Sequence, residues 1–527
     1  MENSTEIDQV QFDESLYNKV TEGQATILFP TSNEVFYNPV QQFNRDMSIA
    51  AITTWSEMFA EEKRQKAEKK RNNQAAAQQN GEASSDLNEE ALKKFTVLEA
   101  LSATGLRSIR YAKEIPNIKY IVANDLEPDA VNAIKRNIKF NQLSEDLVRP
   151  NLGDACSVMY DHRDPAKRYD VIDLDPYGSA VPFIDGAVQA VSDGGLLCVT
   201  CTDLAVLASN SYTETCFYKY GGMPVKADYS HEMALRLVLN SLQTAAARYK
   251  RQIVPLMSCS IDFYVRLFVR VFTSPAEVKK NASKTSMVYH CSGCKSYQTQ
   301  PLGKITVDGK STKYGPVAGP IVNGHCEHCG SKHHVGGPFW GANIHDKEFV
   351  TRFLKNIKES KDRFKTHPRM MGMVSVISEE LDVPFYYTLS GLTGTLHCNS
   401  PPLLSVCSAI LHQGYKVSVS HACQSSLKTN APNEVLWDIM RNWVEKNPVK
   451  NISENSPAFK ILSKKPSFEA NFTRHPEATP ESRKIKLVRF QQNPTKNWGP
   501  KARHKRKNPN DEKPDAKKQN VETPTQN

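Results

Sequence analysis

Two hydrophobic periods alternate along this chain. From Phe95 onward, short apolar runs recur between stretches whose apolar residues return every three or four positions. That pattern marks buried strands alternating with amphipathic helices. Residues 96–101 predict a strand, and 102–107 turn into a helix that stops near Pro116. Residues 120–123 predict the next strand, closed by Asn124 and Asp125, and 127–141 carry Ala130, Val131, Ile134 and Ile138 at helical spacing. A third strand ends within 151–155, a fourth covers 169–174, a helix covers 181–191 and a fifth strand covers 196–202. A helix over 230–250 and a last strand over 261–272 complete the series, and an earlier helix opens at 41–46. Such alternation predicts a doubly wound, mostly parallel α/β sheet. Ligands of such sheets bind beyond the carboxyl ends of the strands.

The pattern lapses in three places. Residues 60–93 start with a charge run and continue in Asn, Gln, Ala, Gly and Ser, which predicts a disordered insertion with helical propensity at its start. Residues 281–346 hold few apolar runs, and beyond Asn447 the chain is polar. Between those two, helices are predicted at 347–357, 370–381 and 401–413, an extended stretch at 384–387 and a strand at 416–421. The polar turn 425–430 is a candidate phosphate contact or an exposed loop, followed by a helix with Trp437 and Trp443. The resulting division is a doubly wound α/β domain over 15–280, a small module over 281–346, a second α+β domain over 347–446 and a polar, basic tail over 447–527.

Composition adds a modest basic bias. The net charge is +10, with basic clusters near 63–71 and 501–507, which suits a polyanionic partner. The second cluster reads as a nucleic-acid arm or a nuclear localisation signal. No apolar run approaches the roughly 18 residues of a membrane span. Residues 1–14 are acidic without Lys or Arg, unlike a secretory signal or transit peptide.

Of the 12 cysteines, Cys291/Cys294 and Cys326/Cys329 form two CxxC pairs with 31 residues between them. Two such knuckles predict a structural zinc held by four thiolates. His290, His325, His328, His333 and His334 crowd the pairs, and any one could replace a cysteine. Cys198 and Cys201 lie three apart on a strand, point to opposite faces and are predicted core residues.

The chemistry concentrates at strand ends. After 169–174 the chain stops at Asp175-Pro176-Tyr177-Gly178. Asp175 can accept a hydrogen bond from an exocyclic amine, and Tyr177 offers a stacking face. An ordinary strand-to-loop turn has the same composition. Asp125 follows Glu99 by 26 positions, near the spacing at which a carboxylate reaches a ribose diol. Gly105 is the only glycine of the first loop. That favours a nucleoside cofactor without a pyrophosphate, such as S-adenosylmethionine. Asp154 is placed to accept from an adenine amine or to cap a helix.

Taken together, Val35-Phe36-Tyr37-Asn38-Pro39 with Asn44-Arg45-Asp46, the run from Leu98 to Arg107, Asn124-Asp125, the run from Asp173 to Gly178, Cys201-Thr202-Asp203, the paired knuckles and the run from Asn493 to Pro500 resemble the tRNA (guanine-26-N2)-dimethyltransferase family in its eukaryotic, fungal form. The resemblance implies a Rossmann-like class I methyltransferase domain, a zinc-ribbon-like module and a C-terminal tRNA-binding domain. It implies transfer of methyl groups from S-adenosylmethionine to the exocyclic N2 amine of a guanosine in tRNA, commonly twice, by a monomer resident in the nucleus. A mitochondrial share would need an alternative start that adds a presequence. By resemblance, Arg45 and Arg107 lie near the methionine carboxylate, Asp125 at the ribose, and Asp154 with Ala155 at the adenine. Asp175 and Pro176 accept from the amine, and Phe36 and Tyr177 sandwich the guanine. Two rival readings remain: an amino methyltransferase acting on DNA adenine or protein glutamine, whose turns usually carry a second Pro where Tyr177 stands, and a tRNA-binding chaperone without catalysis.

Overall fold

A computed structural model describes residues 14–31, 37–77, 89–209, 211–484 and 488. An antiparallel hairpin opens the chain (β1, Tyr17–Glu22; β2, Ala25–Pro30), followed by the long helix α1, Gln42–Ala77, and the short α2, Glu89–Lys93. Next come β3 (Phe95–Glu99), α3 (Leu106–Glu114), β4 (Ile118–Asp125), α4 (Pro128–Phe140), β5 (Val148–Leu152) and α5 (Ala155–Asp161). Then follow β6 (Tyr169–Leu174), α6 (Val181–Ala190), β7 (Val191–Cys201), α7 (Leu204–Leu207), α8 (Thr213–Tyr220) and α9 (Ser230–Arg248). The hairpin β8 (Arg251–Ile261) and β9 (Tyr264–Thr273) completes a sheet of seven strands ordered β5-β4-β3-β6-β7-β9-β8.

The first five of these strands are parallel, and β9 and β8 are antiparallel additions at one edge. This is the Rossmann-like α/β sheet expected, with one strand more than the sequence predicts. β8 was hidden because its polar residues Gln252, Ser258 and Ser260 interrupt the apolar run. Strand order reverses between β3 and β6, so the topological switch point lies where Glu99 and Leu174 end. One core cluster joins α6 and α9 to one face of the sheet; a second joins α1, α3 and α4 to the other. Cys198 falls in the second and Cys201 in the first, on opposite faces as the strand period requires.

The chain continues through α10 (Pro275–Val278), α11 (Asn281–Lys284), β10 (Thr285–Cys291), β11 (Tyr297–Pro301), β12 (Gly303–Asp308), β13 (Ser311–Pro316) and β14 (His333–Trp340). β11-β10-β14 form one small sheet and β12-β13 another. After these come α12 (Lys347–Glu359), α13 (His367–Glu379), β15 (Tyr387–Thr388), α14 (Leu389–Leu396), α15 (Leu403–His412), β16 (Val417–Ser420), β17 (Cys423–Thr429), α16 (Asn433–Lys446), α17 (Pro457–Leu462) and α18 (Glu481–Lys484).

Four sequence expectations are corrected. The first part of the 60–93 segment is the last five turns of α1, because Glu, Lys, Arg, Gln and Ala are good helix formers. Arg352 and Arg270 also tie down Glu61 and Glu62 there, the latter pair at 2.7 Å. Residues 78–88 lie outside the described residues, and 89–93 form α2. The 425–430 turn is the body of β17, with Ser426 and Lys428 buried, so it is not a phosphate-binding loop. α12 and α13 share the core cluster of the catalytic sheet, rather than belonging only to the second domain. Residues beyond Asn447 fold too: Ala458, Ile461, Ala470 and Ala478 join the third core cluster with α14 to α16.

Candidate active site and metal centre

Asp173 sits at the end of β6 with no solvent exposure of its side chain. Its charge is met by Arg266, whose two terminal nitrogens each donate at 2.8 Å, and by the Tyr111 hydroxyl at 2.5 Å. Burial pushes the pKa of this carboxyl up, and Arg266 and Arg107 more than reverse it, so the pKa ends below the ordinary carboxyl value. Arg107 opens α3 and is itself buried. It donates to the Ser48 hydroxyl at 3.1 Å and to Asp175, and lies 3.7 Å from Glu99. Burial pushes Glu99 up to about 7, with Arg107 and Ser108 opposing.

Asp175 is where this network reaches solvent. Its side chain is 26% exposed, Pro176 behind it is buried, and Tyr177 is 54% exposed. A polar brace holds the turn. The Gly178 N–H donates to the Thr202 hydroxyl at 2.7 Å, and the Thr202 N–H donates to the Gly178 carbonyl at 2.8 Å. The Tyr220 hydroxyl of α8 donates to Asp203 at 2.7 Å and so accepts from Ser179 at 2.7 Å. Gly178 needs its glycine, since its φ is +80°.

The expected cofactor residues fall on neighbouring strand ends. Asp125 accepts from the Ala103 N–H at 2.8 Å and the Glu127 N–H at 3.0 Å, which fixes its carboxylate at the end of β4 beside the β3–α3 turn. Asp154 caps α5 through the Ser157 N–H at 2.9 Å, with Ala155 buried next to it. Gly105 starts α3 at φ +77°, and a Cβ there would press on Ile134 at 3.3 Å. An acidic strand end beside a tight, nearly glycine-free turn suits a nucleoside better than a pyrophosphate. Arg45 has a partner from the N-terminal hairpin: it donates to both oxygens of Glu22, at 2.6 and 2.5 Å. Phe36 lies outside the described residues. Sequence reasoning missed Glu22, Ser48, Tyr220 and Arg266; an arginine in an otherwise apolar strand such as β9 is the one signal available, since it must be paired when buried.

Four thiols meet at the end of β10. Cys291, Cys294, Cys326 and Cys329 are all buried, with sulfurs within 4.8 Å of one another and closest approaches of 3.3 and 3.6 Å. Tetrahedral zinc with bonds of about 2.3 Å spaces its sulfurs by roughly 3.7 Å, so the donor set fits that ion. Of the crowding histidines, His290 meets the Tyr229 hydroxyl at 3.2 Å and His328 meets Glu434 at 3.0 Å.

His345, Glu380 and His421 form a second buried cluster of metal-ligand types. Hydrogen bonding argues against a metal there. The Ser260 N–H donates to Nε2 of His421 at 3.1 Å, so Nδ1 carries the proton and donates to Glu380 at 2.8 Å. Lys428 occupies the other Glu380 oxygen at 2.7 Å and Glu232 at 2.9 Å. The cluster binds α9 and β8 of the catalytic sheet to β17.

Comparisons agree with this geometry. Residues 17–441 match the family model described as N2,N2-dimethylguanosine tRNA methyltransferase. The tRNA (guanine(26)-N(2))-dimethyltransferase of Mus musculus is 49% identical over 511 residues, covering 92% of this chain and 76% of the relative. That of Schizosaccharomyces pombe is 47% identical over 510 residues, covering 92% of each. A Saccharomyces cerevisiae relative whose name adds "mitochondrial" is 43% identical over 529 residues, again covering 92% of each. Among solved structures, Trm1 from Pyrococcus horikoshii in complex with S-adenosyl-L-methionine matches with a TM-score of 0.63 and 25% identity, over 80% of this chain and 98% of that one. With a strand-end carboxylate and an exposed ring at the switch of such a sheet, and relatives this similar along nearly its whole length, the chain belongs to the N2,N2-dimethylguanosine tRNA methyltransferase family.

Proposed function

We propose that this chain transfers methyl groups from S-adenosylmethionine to the exocyclic N2 amine of guanosine 26 of tRNA, giving N2,N2-dimethylguanosine. The observation that carries the reading is Asp175: a carboxylate gripped by buried Arg107, reaching solvent beside the exposed ring of Tyr177 at the topological switch point. S-adenosylmethionine, when bound, supplies an electrophilic methyl on a sulfonium. Asp125 would hold its ribose, Asp154 and Ala155 its adenine, and Arg45 its carboxylate. Arg107 can share in that last task only by loosening its hold on Asp175.

A guanine amine is a poor nucleophile because its lone pair is delocalised into the ring. Asp175 and the Pro176 carbonyl accept its hydrogens, favour a more tetrahedral nitrogen and direct the lone pair outward. Holding the reacting atoms about 3–3.5 Å apart then supplies much of the acceleration. The amine proton leaves to Asp175 or to water. The base must leave its stack at a cost of a few kcal/mol. Stacking on Tyr177 and Phe36, at about 1–3 kcal/mol per base, offsets that.

In this reading the four thiolates hold a structural zinc that orders the 281–346 module, and that module and the C-terminal domain grip tRNA by shape and backbone. The protein acts as a monomer in the nucleus, although the 501–507 cluster lies outside the described residues. Chelating the metal weakens tRNA binding before cofactor binding, and folded protein without zinc in elemental analysis refutes that role. The function itself is tested with labelled cofactor and separate tRNA, DNA and protein pools. Label appearing as dimethylguanosine in tRNA supports the reading; label only in DNA adenine or protein glutamine transfers the chain to a rival.

A further inference from the structure

Beyond the crevice, one element leaves apolar side chains in water. β12 and β13 pair over six rows, from Gly303 opposite Pro316 to Asp308 opposite Ser311, and form a sheet with no third strand among the described residues. The hairpin is anchored at its foot, where Gly303 lies so close to α11 that a Cβ would meet the Ala282 Cβ at 2.6 Å. Past that point all of β12 is exposed, as is β13 apart from half-buried Gly315. A hairpin of two strands is marginal by itself, and among the described residues no third strand supports this one.

Its two faces differ in chemistry. Ile305 lies opposite Tyr314 and Val307 opposite Thr312, so one face carries an apolar stripe that is 38%, 41% and 70% exposed at Ile305, Tyr314 and Val307. Lys304 and Lys313 take the other face, and Lys310 stands in the turn. On the hairpin, three lysines face the single acid Asp308; beneath its foot, Lys279, Lys280 and Lys284 face the single acid Glu277. An exposed apolar stripe backed by a cationic face marks a contact surface. The charge selects the occupant. A phosphate backbone meets the lysines of one face and of the turn with the opposite sign, while the other face offers its stripe to a base or ribose.

We propose that the β12–β13 hairpin is an RNA-contacting ribbon, with Lys304, Lys310 and Lys313 on tRNA phosphates and Tyr314, flanked by Ile305 and Val307, against an unstacked base or ribose. This rests on the reading of the chain as a tRNA methyltransferase, and it gives that reading a named contact outside the crevice. None of these residues belongs to the catalytic or cofactor machinery, and none supports a core.

The test measures unmodified tRNA binding to the full chain across a salt series, for wild type, for a Lys304→Ala/Lys310→Ala/Lys313→Ala triple variant and for Tyr314→Ala. The triple variant is expected to lose about 10–100-fold in affinity near physiological salt and to flatten the log–log salt slope by about 2–3, as befits three lost phosphate contacts. Tyr314→Ala is expected to weaken binding about 5–100-fold with its slope unchanged, as for a lost stack. Cofactor affinity and thermal midpoint stay at wild-type values in both. Wild-type affinity and slope in the triple variant overturn the proposal while leaving the methyltransferase reading intact. Loss of self-association in light scattering, with tRNA affinity retained, also overturns it and assigns the face to a protein contact. A wild-type chain that binds tRNA without methylating it refutes the functional reading, and the hairpin is then judged on the salt slope alone.

Discussion

Two buried knots of opposite charge hold this molecule together, and they end differently. At the catalytic edge, Arg107 and Arg266 meet Glu99, Asp173 and Asp175. Between the catalytic sheet and β17, Arg236 and Lys428 meet Glu232 and Glu380. In the second knot every acid is enclosed: Glu232 accepts from Arg236, Lys428 and the Phe385 N–H, and Glu380 from Lys428, His421 and Ser420. In the first, one acid escapes, since Asp175 is a quarter exposed and has an aromatic neighbour in solvent. The same pairing chemistry makes a strut where it is closed and, in the proposed function, a reactive edge where it opens.

The sharpest way to break that comparison is to remove one acid from each side. Asp175→Asn is expected to lower kcat by about 10²–10⁴-fold, while cofactor binding and denaturant midpoint stay near wild type. Single-turnover methylation measures it, and near-normal turnover would remove Asp175 from the mechanism. Lys428→Met should do the reverse. Leaving Glu232 and Glu380 without their shared cation costs about 3–5 kcal/mol of stability, read by chemical denaturation, with kcat per folded molecule preserved. A variant that kept its stability but lost kcat would show that the closed knot also serves the chemistry.

Acid separates the knots in the same way. Burial pushes His345 down to about 3 from an ordinary 6.5. Burial pushes Glu380 up, but Lys428 and His421 more than reverse it and leave its carboxyl well below the ordinary value. As pH falls below 6.5 the unfolded chain therefore takes up a proton at His345 that the folded chain refuses. Stability drops with falling pH by up to about 1.4 kcal/mol per unit for this one group. Below about 4.5 Glu380 adds a loss of the same sign. His345→Gln should flatten the upper part of that slope; an unchanged slope would place the acid sensitivity elsewhere.

How much of this was legible in the sequence follows from distance along the chain. The Asp175-Pro176-Tyr177 turn and the Asp125 strand end were visible because each is a local cue, an apolar run that stops at polar turn chemistry. The thiols were visible because their spacing is the chemistry. Arg266 was not, because its partner Asp173 lies 93 positions away and nothing near either residue announces the other. Lys428 looked like surface for the same reason: its partner Glu232 is 196 positions distant. The anchor that ties the helical continuation of α1 to the sheet was hidden too, since Arg270 reaches Glu62 across 208 positions. Local patterns place the strand-end turns to which the proposed function assigns the reaction, and distant ion pairs build the scaffold that holds them.

Tyr220 tests how far that scaffold reaches into the chemistry. Its hydroxyl links Asp203 to Ser179, just past the Asp175 turn, while burial pushes the phenol's pKa well above its ordinary value and keeps it a donor. Tyr220→Phe deletes both of these hydrogen bonds and keeps the ring. The net worth of such a bond, about 1 kcal/mol, translates into roughly a 5–10-fold fall in kcat with tRNA KM and cofactor affinity unchanged. The loss should be uneven between the two methylations. An unmodified amine offers two hydrogens to Asp175 and Pro176, whereas a once-methylated amine offers one, so the second transfer depends more on a rigid turn. Nucleoside mass spectrometry should then show monomethylguanosine accumulating over dimethylguanosine. A general weakening of the fold would slow both transfers in proportion, so an unchanged product ratio would reduce Tyr220 to packing and confine the reactive edge to Arg107 and the turn itself.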